Sequence, residues 1–232
     1  MTTNTMAGGA ATAMPKATAP ESVAATLRPA AADEPPLFET RRLRCRRWVV
    51  ADLDPLLTVY GDTEGMRFVG DGRPITRAEG ERWLAVTAAN YAARGYGMFA
   101  LEAQPAWAAT APGAISIGTS AARTAPGPAP VVGFCGLVHP GGQREPEVKY
   151  AFLRTHWGLG LASEAVPALL QHAAASLGLA RIIATVAPGN GPSQRVLKKA
   201  GMRLDHERRN DDGSTTLVFA WNAPAVAPMA GR

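Results

Sequence analysis

The run His156-Trp157-Gly158-Leu159-Gly160-Leu161-Ala162-Ser163-Glu164-Ala165 sets two glycines, one residue apart, directly before an apolar, helix-like segment. A helix start leaves its first backbone N–H groups without intrahelical partners. With glycine in front of them no side chain screens these donors, and the helix dipole adds attraction for negative charge. The chemistry suited to such a turn is phosphate binding. Glycines before a helix also serve as plain turns, so this run alone leaves both readings open. A second element follows the strand-like run Arg181–Ala187: Asn190-Gly191-Pro192-Ser193-Gln194-Arg195-Val196-Leu197-Lys198-Lys199-Ala200-Gly201-Met202. Here Asn190 is a suitable helix N-cap and Ser193 falls in the first turn. Ahead of the glycines, alternation along Glu147-Val148-Lys149-Tyr150-Ala151-Phe152 puts Glu147 and Lys149 on one face, and Val148, Tyr150 and Phe152 on the other. Two roles fit Glu147. It is either half of a surface pair with Lys149, or a general base whose proton affinity is raised by partial burial.

Together these elements resemble the GNAT acetyltransferases, in particular the branch that includes the ribosomal-protein N-terminal acetyltransferases of the RimJ/RimL type. The resemblance runs from about Leu37 to about Trp221 and includes Leu43-Arg44-Cys45-Arg46-Arg47-Trp48, Gly133-Phe134-Cys135-Gly136-Leu137 and Glu147-Val148-Lys149-Tyr150. The family pattern for the phosphate turn is Arg or Gln, any, any, Gly, any, Gly or Ala. Trp157-Gly158-Leu159-Gly160-Leu161-Ala162 occupies it, with Trp157 in place of the basic or amide residue.

The resemblance implies an α/β domain of the GNAT acyl-CoA N-acyltransferase fold: a mixed, strongly bent sheet flanked by helices. It implies acetyl-CoA as co-substrate and no metal. The cofactor lies where two parallel strands splay after Leu153 and Val186, beside Phe152 and Leu153. Trp157, Gly158, Leu159, Gly160, Leu161, Ala162 and Ser163 form the turn whose backbone donates to the pyrophosphate. Asn190 contacts the pantetheine arm. The Ser193 hydroxyl lies near the thiol and assists the departing thiolate; Val196 and Leu197 follow, so no Tyr is available further along that helix. Glu147 takes the general-base role, directly or through water. The implied reaction is direct attack of a primary amine, on a protein N-terminus or a small molecule, within a ternary complex. Two alternatives stand beside it: an antibiotic or small-amine acetyltransferase, and a catalytically silent acyl-CoA-binding or interaction module.

The positioning elements follow from local patterns. A strand spans about Arg42–Trp48, and Asp52-Leu53-Asp54-Pro55 opens a short helix to about Tyr60. Asp62–Arg73 reads as a loop. Thr76 with Glu79 three residues on is a capping box, opening a helix to about Arg94 with Trp83, Leu84, Thr87, Ala88 and Tyr91 as its apolar stripe. Gly95 ends it. A strand at Met98–Glu102 precedes Gln104–Pro130, an Ala/Gly/Pro/Ser/Thr-rich stretch whose side chains offer little chemistry, as expected of a flexible insertion. Val131–Val138 and Glu147–Leu153 form a hairpin across Pro140-Gly141-Gly142. Pro167 interrupts the helix after the glycines and sets its effective first turn near Ser163–Val166; the helix ends near Leu177-Gly178. The helix Pro192–Ala200 stops at Gly201. Met202–Arg208 and Thr215–Trp221 form a last hairpin.

The chain has 232 residues and a net charge of +5, enough for one domain of ordinary size with a modest excess of positive charge. That excess suits a polyanionic ligand. The basic residues are scattered and no aromatic-interleaved basic stripe occurs, which argues against nucleic acid. No apolar run reaches membrane-spanning length. Residues 1–36 are Ala, Thr and Pro rich with little to bury, and read as a disordered tail rather than a secretory signal. Residues 37–222 form the N-acetyltransferase domain, with 104–130 inserted, and 223–232 read as a loose end. Cys45 and Cys135 read as buried, reduced thiols of a cytoplasmic protein. His139, His156, His172 and His206 lack metal-ligand spacing and read as loop or surface residues; His139 is the one placed to approach an acceptor pocket. A monomer or a homodimer is expected.

Overall fold

A computed structural model describes residue 27, residues 35–109 and residues 129–224. Among these residues, eight strands build one sheet: β1 (Phe38–Glu39), β2 (Leu43–Arg47), β3 (Met98–Ala103), β4 (Val131–Val138), β5 (Glu147–Phe152), β6 (Arg181–Val186), β7 (Arg203–Arg209) and β8 (Thr215–Asn222). Their order is β1-β2-β3-β4-β5-β6-β8-β7. Every neighbouring pair is antiparallel except β5 and β6, which run parallel.

Successive side chains of the central strands enter two apolar clusters. In β4, Cys135 and Leu137 join one cluster, and Phe134 and Val138 join the other. In β3, Phe99 and Leu101 divide from Met98 and Ala100 in the same way. A sheet covered on both faces needs apolar side chains at both parities, which is why these strands read as continuous apolar runs. The helices α1 (Leu53–Tyr60) and α3 (Arg77–Arg94) supply Leu56, Val59, Leu84 and Ala88 to the cluster with Trp48 and Phe134. The helices α5 (Ala162–Leu177) and α6 (Gly191–Lys199) supply Ala165, Val166, Leu169 and Leu197 to the other. The numbering of the helices includes two short ones, α2 (Thr63–Met66) and α4 (Pro105–Ala108).

The punctuation of α3 is as expected. Thr76 accepts from the Glu79 N–H while Glu79 accepts from the Thr76 N–H at 2.7 Å, and Gly95 closes the helix in the left-handed region. Both cysteines are wholly buried and free.

Several expectations change. Asp62 caps α2 inside the stretch read as a loop, accepting from the Gly65 N–H at 3.0 Å. The edge strand β1 lies outside the expected elements, because two residues carry no periodicity. α5 starts at Ala162, one residue before the expected first turn, and continues through Pro167. The first residues of the 104–130 stretch form α4, with Trp107 packed against the main cluster; residues 110–128 lie outside the described residues. Most of the 1–36 tail also lies outside them, but Leu27 is an exception. It is buried in the cluster of Trp48, Leu56 and Phe134. One apolar side chain is enough to dock on a cluster, and a composition average conceals it. Residues 225–232 of the expected loose end fall outside the description as well. Among the described residues, no helix is long and apolar enough to cross a membrane.

Candidate active site

The glycine turn from Trp157 to Ser163 is made by backbone conformation. Gly158 and Gly160 have φ of 74° and 77°, a region in which side chains with a Cβ are strained. A Cβ on Gly158 would meet nothing within 4 Å, and one on Gly160 would meet only Nη2 of Arg42, at 3.6 Å. Conformation, not crowding, therefore requires glycine here, and the space before the turn is open. Leu161 stands at the N-cap of α5 with no side chain to cap the helix. The Ala162 and Ser163 N–H groups have no hydrogen-bond partner among the described residues, whereas the Glu164 N–H donates to the Leu161 carbonyl at 3.0 Å. Leu161 itself is 2% exposed, so it serves this turn through its backbone while its side chain packs in the core. Leu159 is half-buried against the same cluster. Trp157 is half-exposed, and its indole donates to the Phe152 carbonyl at 2.9 Å, folding the turn back onto the end of β5.

The gap between the parallel strands opens earlier than Leu153 and Val186. β5 and β6 pair only at Glu147 and Ile183. The Ile183 N–H donates to the Pro146 carbonyl at 2.9 Å. The next available donor on β6, the Thr185 N–H, donates to a Glu147 carboxylate oxygen at 3.3 Å instead of to a β5 carbonyl. A side chain has taken the place of the ladder, and the strands part from there.

Glu147 is 0% exposed, which excludes the surface-pair reading. Its partnership with Lys149 is nevertheless real: the ammonium donates to Oε1, as does the Thr185 hydroxyl. Gln143 Nε2 donates to Oε2 at 3.2 Å. Oε1 thus receives three donors and Oε2 one, so Oε2 is the oxygen with room for another proton or a water.

Asn190 caps α6, accepting from the Ser193 N–H at 3.2 Å. Its amide NH2 has no hydrogen-bond partner among the described residues. The Ser193 hydroxyl lies 2.6 Å from the Tyr150 hydroxyl. No Tyr follows on α6, as expected, but β5 brings one to this hydroxyl. Burial pushes the Tyr150 phenol up to about 12, with the Ser193 hydrogen bond opposing, so it is a donor at neutral pH. If Tyr150 donates to Ser193 Oγ, the Ser193 proton is free to point elsewhere. Tyr150 packs with the α5 and α6 cluster, whereas Ala151 and Leu153 pack with the α1 and α3 cluster. By alternation the Glu147 side chain falls on the Ala151 side and Tyr150 on the opposite one. The gap therefore has a carboxylate toward one face and a hydroxyl pair toward the other. The signal that would have found Tyr150 was its even spacing from Val148 and Phe152.

His139 joins the carboxylate side. Its ring contacts the Tyr96 hydroxyl at 2.8 Å and the Gln143 carbonyl at 2.9 Å, and Gln143 in turn reaches Glu147. With Asn90, Arg94 and Val138 it lines a cavity of about 160 Å3. Among the described residues, no three His, Cys, Asp or Glu side chains are grouped to hold a metal ion.

The family model of the acetyltransferase (GNAT) domain matches residues 42–203, and the chain belongs to that family. An uncharacterized N-acetyltransferase p20 of Bacillus licheniformis is 40% identical over 85 residues, which are 34% of this chain and 47% of that protein. The chain thus matches about half the length of this curated relative. Among solved structures, a RimL ribosomal-protein α-N-acetyltransferase in complex with coenzyme A superposes with a TM-score of 0.61 at 14% identity, covering 81% of this chain and 97% of that one. A spermidine N-acetyltransferase from Vibrio cholerae, in complex with CoA and spermine, gives 0.57 at 14% identity, covering 78% and 95%. At such identities these two likenesses establish the fold. The eight-stranded sheet with one parallel pair and helices on both faces is that fold.

Proposed function

We propose that this protein is an acetyl-CoA-dependent N-acetyltransferase, of the RimJ/RimL type, that acylates a primary amine. One observation carries the reading. An uncapped glycine turn stands beside a gap in the sheet, and the gap holds a buried carboxylate toward one face and a Tyr–Ser hydroxyl pair toward the other. The open turn at Gly158 and Gly160 fits a pyrophosphate, because no Cβ stands before the donors. Acetyl-CoA, when bound, supplies an activated acyl group and a thiolate leaving group.

The residues divide the work. Backbone donors from Gly158 to Ser163 bind the pyrophosphate, with Trp157 closing the turn onto Phe152 and Leu153. The Asn190 amide reaches the pantetheine arm. Glu147 Oε2 accepts the proton that the attacking amine loses as its nitrogen bonds to the acyl carbon, directly or through one water. Ser193 donates a hydrogen bond to sulfur as the C–S bond breaks. A Ser hydroxyl is a weak acid, so its contribution is stabilisation of developing charge on sulfur. No covalent enzyme intermediate is required, since an amine without its extra proton is a competent nucleophile. The cavity beside His139 lies on the Glu147 side and suits the entry of the acceptor.

Thiol release from acetyl-CoA, measured against peptides, polyamines and aminoglycosides, tests the reading. Amine-dependent release is expected. CoA binding with no amine-dependent release from any class would instead make the chain a silent acyl-CoA-binding module.

A further inference from the structure

An acidic residue in the first turn of a phosphate-binding helix is a conflict. Glu164 is the third residue of α5. A free carboxylate there would repel a pyrophosphate and compete for the same N–H groups. The structure draws it aside. The Thr40 hydroxyl donates to Oε1 at 2.5 Å, the Arg42 N–H to the same oxygen at 2.8 Å, and Arg42 Nε to Oε2 at 2.7 Å. Burial opposes ionisation here, but the Thr40 and Arg42 hydrogen bonds outweigh it and hold Glu164 below the usual carboxylate range.

The same guanidinium reaches the turn itself. Arg42 Nη1 donates to the carbonyl of Leu159, the residue between the two glycines, at 2.7 Å. A turn that binds anions through N–H groups works only while its carbonyls are engaged elsewhere. Arg42 Nη2 has no hydrogen-bond partner among the described residues, and it lies 3.6 Å from where a Cβ of Gly160 would stand. The Trp107 ring lies 5.8 Å from the guanidinium carbon, and Gln104 binds the Arg42 and Thr40 carbonyls at 2.8 and 2.7 Å. Trp157, by contrast, brings no charge to the position where the family pattern has Arg or Gln.

We propose that Arg42 is the positioning residue of the phosphate turn: it neutralises Glu164, engages the Leu159 carbonyl and sets a cation beside Gly160 toward the pyrophosphate. The proposal rests on the acetyl-CoA reading above. The planar guanidinium fork makes this possible, because its three nitrogens serve three points at fixed geometry.

Calorimetry with CoA and with pantetheine, which lacks the pyrophosphate, tests it. Arg42→Met should weaken CoA roughly 10- to 100-fold, the range of a charge-assisted hydrogen bond. Pantetheine binding should not change. Glu164→Gln, added to Arg42→Met, should recover part of the lost CoA affinity by removing the uncompensated charge. If Arg42→Met does not fold, Arg42→Lys keeps the charge without the fork and should show a smaller loss confined to CoA. Equal loss for both ligands, no loss, or no recovery in the double variant would overturn the proposal. A wild-type protein that binds CoA no better than pantetheine would instead overturn the acetyl-CoA reading.

Discussion

The turn from Trp157 to Ser163 works through its backbone, whereas the gap between β5 and β6 works through side chains drawn from β5, β6, α6 and the β4–β5 turn. In the turn, consecutive residues make the row of donors, two positive-φ glycines are its requirement, and Arg42 is the distant side chain that reaches it. In the gap, Glu147, Thr185, Tyr150, Ser193 and Gln143 meet only after the sheet has formed and α6 has been laid against it. The contrast teaches that the row of backbone donors is a local property of this chain, completed by one distant side chain, while the proposed transfer site is assembled throughout from separate elements. Substitutions in the two regions should accordingly fail in different ways: in the turn as lost affinity, in the gap as lost turnover.

The largest effect is expected in the gap. Glu147→Gln keeps the shape but lacks proton affinity, and turnover should fall roughly 10²–10⁴-fold at neutral pH. Normal rates across the acid limb of the pH profile would make Glu147 a structural pin between β5 and β6. Next comes Gly160→Val in the turn. A branched side chain at φ of 77° is strained and stands before the phosphate donors. CoA affinity should drop about 100-fold or more, an effect above 2 kcal/mol. Unchanged affinity in a folded variant would remove the turn from the cofactor site.

A finer comparison separates the two hydroxyls. Ser193→Ala should lower the single-turnover rate about 10- to 100-fold while the CoA dissociation constant stays nearly constant, because the bond to sulfur strengthens only as C–S cleavage proceeds. Loss of stability without loss of rate would leave Ser193 as a first-turn helix residue and nothing more. Tyr150→Phe should reproduce a smaller part of the same loss, about 10-fold, since Ser193 keeps its own proton but loses its orienting partner. The phenol also has a signature in stability. Its folded-state value is raised by burial to about 12, so its contribution is present below the unfolded value near 10 and lost as pH rises toward 12. Tyr150→Phe should make the alkaline fall of melting temperature with pH less steep, the remainder being carried by Tyr60, Tyr91 and Tyr96, which burial also raises; an unchanged slope would mean that Tyr150 carries none of it.

The smallest effect on binding and turnover concerns Leu27. Deleting residues 1–34 exposes the cluster of Trp48 and Leu56 that this side chain covers. Burying one Leu contributes about 1.5–3 kcal/mol, so the melting temperature should fall by several degrees while CoA affinity and turnover hold. An unchanged melting temperature would show that Leu27 contributes nothing to the fold.

What was legible in the residues alone was what depends on near neighbours. The capping box of Thr76 and Glu79, the glycine stops at Gly95 and Gly178, the strand runs and the glycine turn are all set by φ, by local hydrogen bonds and by the spacing of apolar side chains. Each is a matter of a few consecutive residues, and periodicity records it. The short pieces β1 and α2 escaped because two to four residues give no period to read. Four further facts required the folded chain. Glu147 is buried and its carboxylate accepts the Thr185 N–H of β6; Tyr150 supplies the phenol that α6 lacks; Arg42 reaches across from the first hairpin to the Leu159 carbonyl and Glu164; Leu27 docks on a distant cluster. These contacts join residues up to 122 positions apart. Side-chain alternation states which face a residue is on, but not which strand or helix lies across from it. That is settled by the order of strands in the sheet and by the layer of helices packed on each side.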